Sequence, residues 1–358
     1  MPQPEPILVY RLGSLGDTVV ALPCFHLIRK VFPDRSIVLL TNEPVSGKAA
    51  PAMAILENSG LCDEVIDYPV GTRSFQQLAK VRRRLRAVRP QVMVNLAAGR
   101  GLLKSLRDYW FFRSCGVEKI IGTPFKKADL AVELLKNGQY EAESQRLAAR
   151  LRPLGEIDLA DRANWSLLLT PAEKAKGAEY VRGHSNFVAA SVGTKLFVKD
   201  WGEDNWGQLL RMLGAELPGT TLVLLGADDE RERSDRMGRL WHGPFLNLCG
   251  QTSPRISAAV LEHASLFIGH DSGPMHLAST LGIPTLGLFA WFNPPGQWFP
   301  GHHSWKSLKI LYPPLPAGGW HGGLQMKNGP QAGVQLLKPD DVFLSAMTLW
   351  RAHSDLPA

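Results

Sequence analysis

The chain has 358 residues, 45% of them hydrophobic and 20% charged, which is the composition of a globular protein of about two domains and excludes a disordered or fibrous one. Its net charge of +7 is uneven: 24 basic against 17 acidic residues up to Ala163, and 16 against 16 beyond it. No apolar run approaches the roughly 18 residues of a membrane span.

Met1–Pro6 lacks the basic-then-apolar pattern of a secretory signal. The four cysteines, Cys24, Cys62, Cys115 and Cys249, are scattered without a CxxC pair. Neither a disulfide framework nor a zinc site is expected, and a reducing cytoplasm is the expected compartment. Short apolar runs then alternate with helical patterns. Ile7–Tyr10, Ile37–Leu40, Glu64–Tyr68, Val92–Leu96 and Lys119–Ile121 read as strands, with helices over Thr18–Val31, Phe75–Arg86 and Leu102–Ser114. The style repeats with strands at Phe187–Ala190, Leu222–Leu225, Phe245–Leu248, Leu266–Ile268 and Thr285–Phe289. Helices fall at Asn205–Glu216, Glu230–Trp241, Ser257–His263 and Pro274–Leu281. Such alternation predicts an α/β protein with parallel sheets covered on both faces, arranged as two doubly wound domains. The expected division is 1–165 and 171–338, with a C-terminal helix and tail over 339–358. Pro153–Pro171 is the linker candidate, and the Gly- and Pro-rich Pro313–Gln335 reads as a long loop.

Lys80, Arg82, Arg83, Arg84, Arg86 and Arg89, followed by Arg100, Lys104 and Arg107, form the densest basic run. It reads either as a solvated helix face or as a surface for an anionic partner. No zinc-finger, RNP or basic-zipper pattern accompanies it, so nucleic acid is not the expected partner.

Four segments carry candidate chemistry. Gly13-Ser14-Leu15-Gly16-Asp17 follows the first strand, at the carboxyl edge where doubly wound sheets bind ligands. Its GxxG spacing meets neither the dinucleotide fingerprint nor a Walker loop. Asp17 reads either as the N-cap of the next helix or as a general base. Asp271-Ser272-Gly273-Pro274-Met275-His276 follows another strand; Pro274 suits a first helical position, and the free N–H groups near Ser272 and Gly273 would suit a diphosphate. The alternative is a merely well-capped helix. Thr194, Lys195 and Lys199 could meet phosphate, against a plain surface role. Asp228 follows a strand and reads as a ribose ligand or a helix cap. His270, His276, His302, His303 and His321 show no regular ligand spacing, so no metal site is expected.

In this order the four segments resemble the ADP-heptose:lipopolysaccharide heptosyltransferase family, from about Ile7 to Trp298. The strongest piece is Asp271-Ser272-Gly273-Pro274-Met275-His276-Leu277-Ala278 with Gly282 and Pro284. Leu12–Asp17 and Lys199-Asp200-Trp201 with Trp206 follow. The resemblance implies the GT-B fold, two Rossmann-like domains facing across a cleft. It implies inverting, metal-independent transfer from a nucleotide-diphosphate sugar, an ADP-sugar foremost, with no cofactor. It places Asp17 as base, Gly13, Ser14 and Gly16 on the acceptor side, and Thr194, Lys195, Lys199, Asp228, Asp271, Ser272, Gly273, Pro274 and His276 around the donor. The implied acceptor is an anionic glycolipid, met at the cytoplasmic face of the inner membrane. Where the family reads Gly-Pro-Thr-Asp-Pro, this chain has Ala290-Trp291-Phe292-Asn293-Pro294. A different nucleotide sugar, an epimerase and a non-catalytic sugar-nucleotide binder are the alternative readings.

Overall fold

The computed structural model describes residues 5–42, 50–69, 72, 74–184, 186–291, 293–300, 305–314 and 333–354, with Ser354 described for its backbone only. Phe292, His302, His303, His321 and most of the Pro313–Gln335 segment lie outside them. The chain divides into two compact units, 1–168 and 169–358.

The first unit runs β1 (Ile7–Tyr10), α1 (Leu15–Val20), α2 (Leu22–Val31), β2 (Ile37–Thr41), α3 (Met53–Leu56) and β3 (Glu64–Asp67). It continues with α4 (Phe75–Val88), β4 (Val92–Asn95), α5 (Leu102–Ser114), β5 (Lys119–Ile121), α6 (Lys127–Leu130) and α7 (Glu143–Arg150). Its five strands pair in the order β3-β2-β1-β4-β5, all parallel. β1 and β2 are buried at every position, which is why they read as unbroken apolar runs rather than alternating ones. Leu8, Tyr10, Val38 and Met93 of the sheet pack with Val81 and Leu85 of α4 and Phe112 of α5.

The second unit runs α8 (Pro171–Tyr180), β6 (Phe187–Ser191), α9 (Glu203–Glu216), β7 (Thr221–Leu224), α10 (Arg231–Gly238), β8 (Phe245–Asn247) and α11 (Pro254–Leu261). Then come β9 (Leu266–His270), α12 (Gly273–Thr280), β10 (Thr285–Leu288), β11 (Leu308–Leu311) and α13 (Pro339–Ser354). Its six strands pair in parallel in the order β11-β10-β9-β6-β7-β8. Helix α13 is part of this unit's core: Val342, Ala346 and Met347 pack with Leu209 and Leu213 of α9 and with Leu286 and Leu288 of β10.

Two expectations change. The helix expected over Thr18–Val31 starts earlier and breaks at Ala21, because Ser14 caps α1 and Pro23 suits only the first turn of a new helix. Strand β9 runs two residues further than expected, because Gly269 and His270 continue the ladder with Gly287 and Leu288.

The strand order locates the sites. In the first sheet the chain winds outward from β1, then crosses to β4, so the switch point lies between β1 and β4. In the second it lies between β6 and β9. At a switch point the loops leave in opposite directions and open a crevice at the carboxyl ends of the strands.

Candidate functional site

In the first unit the loop after β1 is pinned from beneath. The buried Arg11 guanidinium donates from Nη1 to the Leu96 carbonyl (2.6 Å) and from Nη2 to the Asp17 carbonyl (2.6 Å). One side chain thereby ties the β1 and β4 loops together across the switch point. Arg150 of α7 donates to the next carbonyl, Ala97 (2.9 Å). Gly13 has φ +140°, and its N–H donates to Asn42 Oδ1 (2.7 Å). A Cβ there would stand 2.4 Å from Asp17 Cβ, so only glycine fits.

Ser14 is the N-cap of α1, and Asp17 stands at the third helical position. The cap reading of Asp17 is therefore corrected: Asp17 is the carboxylate partner of the cap. Its Oδ2 accepts from the Ser14 N–H (2.8 Å) and Oγ (3.1 Å), while Oδ1 stands 3.9 Å from Arg11 Nη2. The side chain is 30% exposed. One oxygen is thus held for orientation, and the other makes no hydrogen bond among the described residues, which suits a fixed proton acceptor.

In the second unit the loops after β6 and β9 meet. Lys199 donates its ammonium to Asp271 Oδ2 and lies 3.4 Å from the Asp271 carbonyl oxygen. Asp271 Oδ1 faces His276 Nε2 at 3.4 Å. Burial opposes the charge of Asp271, but Lys199 foremost, with His276, holds its carboxyl below the ordinary carboxylate range. Asp200 is gripped in bidentate fashion by Arg233 of α10 (2.7 and 2.8 Å), which fixes the backbone beside Lys199. Helix α12 begins at Gly273 with Ser272 as N-cap and Pro274 in the first turn. Ser272 Oγ and His276 Nδ1 are buried without a hydrogen-bond partner among the described residues. Unpaired buried polar atoms at a helix start, beside a lysine, have the chemistry to receive an anion. Lys195 is exposed and Thr194 half-buried on the β6 loop.

Asp228 lies just after β7 and is not the helix cap, since Ala227 caps the short turn that Asp228 opens and Glu230 precedes α10. The Asp228 side chain is 86% exposed, 3.6 Å from Arg231 Nε. The carboxylate turned toward the loops after β6 and β7 is Glu230. Its Oε2 accepts from the Ala227 N–H (2.8 Å), and a Cβ on Gly193 or Gly226 would come within 2.3 Å of its carboxyl atoms. Burial pushes this carboxyl above its ordinary value. Both residues lie in Asp228-Asp229-Glu230, within the segment that the sequence singled out.

His270 was missed as a structural device. It is fully buried. Its Nε2 lies 3.1 Å from the Trp201 N–H and 3.2 Å from the Trp206 indole N–H, two groups that can only donate. Nε2 is therefore the acceptor, and Nδ1 carries the proton and donates to the Gly193 carbonyl (3.2 Å). Burial lowers this imidazole to about 4, so it is neutral. Trp291 is also anchored: its indole donates to the Pro313 carbonyl (3.2 Å), and its ring lies against Gly333. Among the described residues no three His, Cys, Asp or Glu side chains group as metal ligands would. All four cysteines are buried free thiols.

Two parallel doubly wound units, each with a polar cluster at its switch point, give the GT-B architecture of sugar-nucleotide transferases. The fold is similar to that of the solved glycosyl transferase family 9 protein of Veillonella parvula (TM-score 0.73, 18% identity, 97% of this chain and 98% of that one). It is also similar to that of E. coli heptosyltransferase WaaC solved with ADP (TM-score 0.65, 16% identity, 96% and 99%). The chain belongs to glycosyltransferase family 9 (heptosyltransferase), whose model matches residues 78–308. Among characterised relatives, the lipopolysaccharide core heptosyltransferase OpsX of Haemophilus influenzae is 28% identical over 299 residues, 81% of this chain and 80% of that one. The chain is a glycosyltransferase.

Proposed function

We propose that this glycosyltransferase moves a heptose from ADP-heptose onto a lipopolysaccharide core or a related anionic glycolipid, with inversion and without a metal ion, at the cytoplasmic face of the membrane. The Haemophilus relative is named a lipopolysaccharide core heptosyltransferase, and the E. coli neighbour was solved with ADP, which supports this donor and acceptor. The observation that carries the reading is the polar cluster at the start of α12, where Lys199 meets Asp271 beside the unpaired Ser272 Oγ and His276 Nδ1.

In this reading the donor diphosphate lies on the N–H groups at Gly273, with Lys199, Thr194 and Lys195 supplying charge and hydrogen bonds. Pro274 lacks an N–H and so adds no donor, but its fixed φ suits the first turn that aims the neighbouring N–H groups. Fixed donors of this kind stabilise the leaving diphosphate as its negative charge develops. Glu230, rather than Asp228, stands in position to accept from the ribose hydroxyls. The acceptor hydroxyl attacks the anomeric carbon as the bond from that carbon to the diphosphate oxygen breaks. Its proton passes to Asp17 Oδ1, and Gly13, Ser14 and Gly16 shape the loop around it.

A thermal-shift panel of ADP, UDP, GDP, CDP and NAD is the first test. At a hundred times its Kd, a ligand stabilises the fold by about 2.7 kcal/mol. ADP is expected to give the largest shift, and ADP-heptose with a core acceptor to give product. A response to NAD alone, or transfer from another nucleotide sugar only, overturns the reading.

A further inference from the structure

Helix α5 is apolar where a surface helix should be polar. Ser105, Asp108 and Phe112 form its buried face. Leu103, Leu106 and Trp110 fall on the opposite side at spacings of three and four, so they share one outward stripe. Leu103 is 83% and Trp110 66% exposed. The exposed Lys104, Arg107 and Arg113 flank the stripe, and the helix's one acid, Asp108, is buried against Arg100 (2.8 Å) and Arg107 (2.6 Å).

Helix α4 extends the same surface. Arg82 and Arg86 both donate to the Ser114 carbonyl at the end of α5 (3.2 and 3.0 Å). Val81 and Leu85 of α4 are buried, Lys80, Arg82, Arg83, Arg84 and Arg86 are exposed, and the helix holds no carboxylate. Two adjoining helices thus present cations beside a leucine and tryptophan stripe, and neither helix carries an exposed acid.

The geometry points to a membrane-docking surface: the α4–α5 face lies on an anionic bilayer, with Leu103, Leu106 and Trp110 at headgroup depth and the arginines on lipid phosphates. An amphipathic helix with a basic rim and a tryptophan on its apolar side is the form such surfaces take. Charge complementarity selects this occupant. A second copy docked face to face would set cations against cations, and a nucleic acid would leave the leucines uncovered. The inference deepens the proposed function, since a lipid-anchored acceptor lies in such a plane, but its flotation readout needs neither donor nor acceptor.

The full chain is floated with vesicles of phosphatidylethanolamine and phosphatidylglycerol, and with phosphatidylcholine vesicles alone. Binding is expected only to the anionic vesicles. It should weaken as salt rises from about 0.1 M to about 1 M, where the screening length falls from about 10 Å to about 3 Å. Leu106→Ser with Trp110→Ser, and separately Lys80→Glu with Arg83→Glu, should each lower binding by about tenfold or more. All four positions are exposed, and an unchanged melting curve verifies each fold. Transfer to a deacylated, water-soluble acceptor should be unchanged in both variants, so a chain that floats but transfers nothing fails the proposed function and keeps the surface. Equal binding to neutral vesicles, no binding at all, or variants that float like the parent overturn the surface. So does self-association of the parent that Leu106→Ser with Trp110→Ser abolishes.

Discussion

Lys199 and Asp271 stand 72 residues apart in sequence, and their ion pair joins the loop after β6 to the loop after β9 at the switch point of the second sheet. The Asp271 carboxylate is 8% exposed and the Lys199 side chain 14%, and the remaining oxygen of Asp271 faces His276. The pair neutralises itself in the resting protein. An arriving diphosphate would meet a lysine already fixed in place, with donors to spare.

The first prediction separates the pair's structural share from its binding share. Lys199→Met leaves a buried carboxylate without its cation and should destabilise the fold by about 3–5 kcal/mol. Adding Asp271→Asn removes the orphaned charge and should return most of that stability in urea unfolding. Turnover and ADP affinity should stay low in both variants. A double variant that regains turnover along with stability would show that Lys199 only supports the fold.

Asp17 gives the second prediction. An asparagine can still accept from Ser14 through its carbonyl oxygen, so Asp17→Asn should keep the cap of α1 and the melting temperature. It cannot take the acceptor proton. Turnover should fall by about 10²-fold to 10⁴-fold, with ADP binding by calorimetry unchanged. Full turnover in this variant would remove Asp17 from the chemistry.

The parts of the fold that sequence makes legible are those where burial is uniform. Six strands, β1, β2, β6, β7, β9 and β10, are buried at every position and read as apolar runs, whereas the missed β11 is half-buried at all four positions and carries Lys309. Helix α7 was missed because its buried side holds Glu143, Arg146 and Arg150, polar side chains where periodicity expects apolar ones. Arg146 donates to the Asp129 carbonyl (2.7 Å) and Arg150 to the Ala97 carbonyl (2.9 Å), pairings that only tertiary structure displays. Helix α8 had a readable signal that went unused: Thr170 and Glu173 form a capping box ahead of it. At the site, motif spacing located every loop, since loops follow strands. It could not show that Glu230 turns inward while Asp228 faces out, because that depends on how one turn swings the side chains. Nor could it show that His270 faces inward, because strand length decides which face a residue takes.

The third prediction concerns the joint between α8 and α11. Arg255 is 1% exposed and bonds Glu173 through Nε (2.6 Å) and Nη2 (2.8 Å). That contact, foremost, lowers the Glu173 carboxyl to about 2. A carboxyl lowered on folding stabilises above its unfolded value, near 4.5, and loses that contribution as pH falls toward its folded value. The amount is on the order of 3 kcal/mol. Glu173→Gln should cost about that much near pH 7, and the gap to the parent should shrink progressively below about pH 4.5. A gap in urea unfolding that is independent of pH would mean that the loss is one of shape and not of charge.

His270 gives the last prediction, with the opposite group and the same direction. Its imidazole is charged in the unfolded chain below about pH 6.5 but stays neutral in the fold down to about 4, because burial and two N–H donors at Nε2 exclude a second proton. Asp200 favours that proton, while Arg233 and Lys199 oppose it. Between these values the unfolded chain binds more protons, so stability is full above about pH 6.5 and is lost as pH falls toward 4. The loss amounts to about 3 kcal/mol in all. His270→Gln offers an acceptor that does not titrate, and should flatten this part of the stability profile relative to the parent. Nitrogen NMR of the parent should show His270 protonated at Nδ1 alone at neutral pH. An imidazole that titrates near 6.5, or one protonated at Nε2, would mean that the Trp201 and Trp206 N–H groups point elsewhere and that the β6 loop is held by something other than His270.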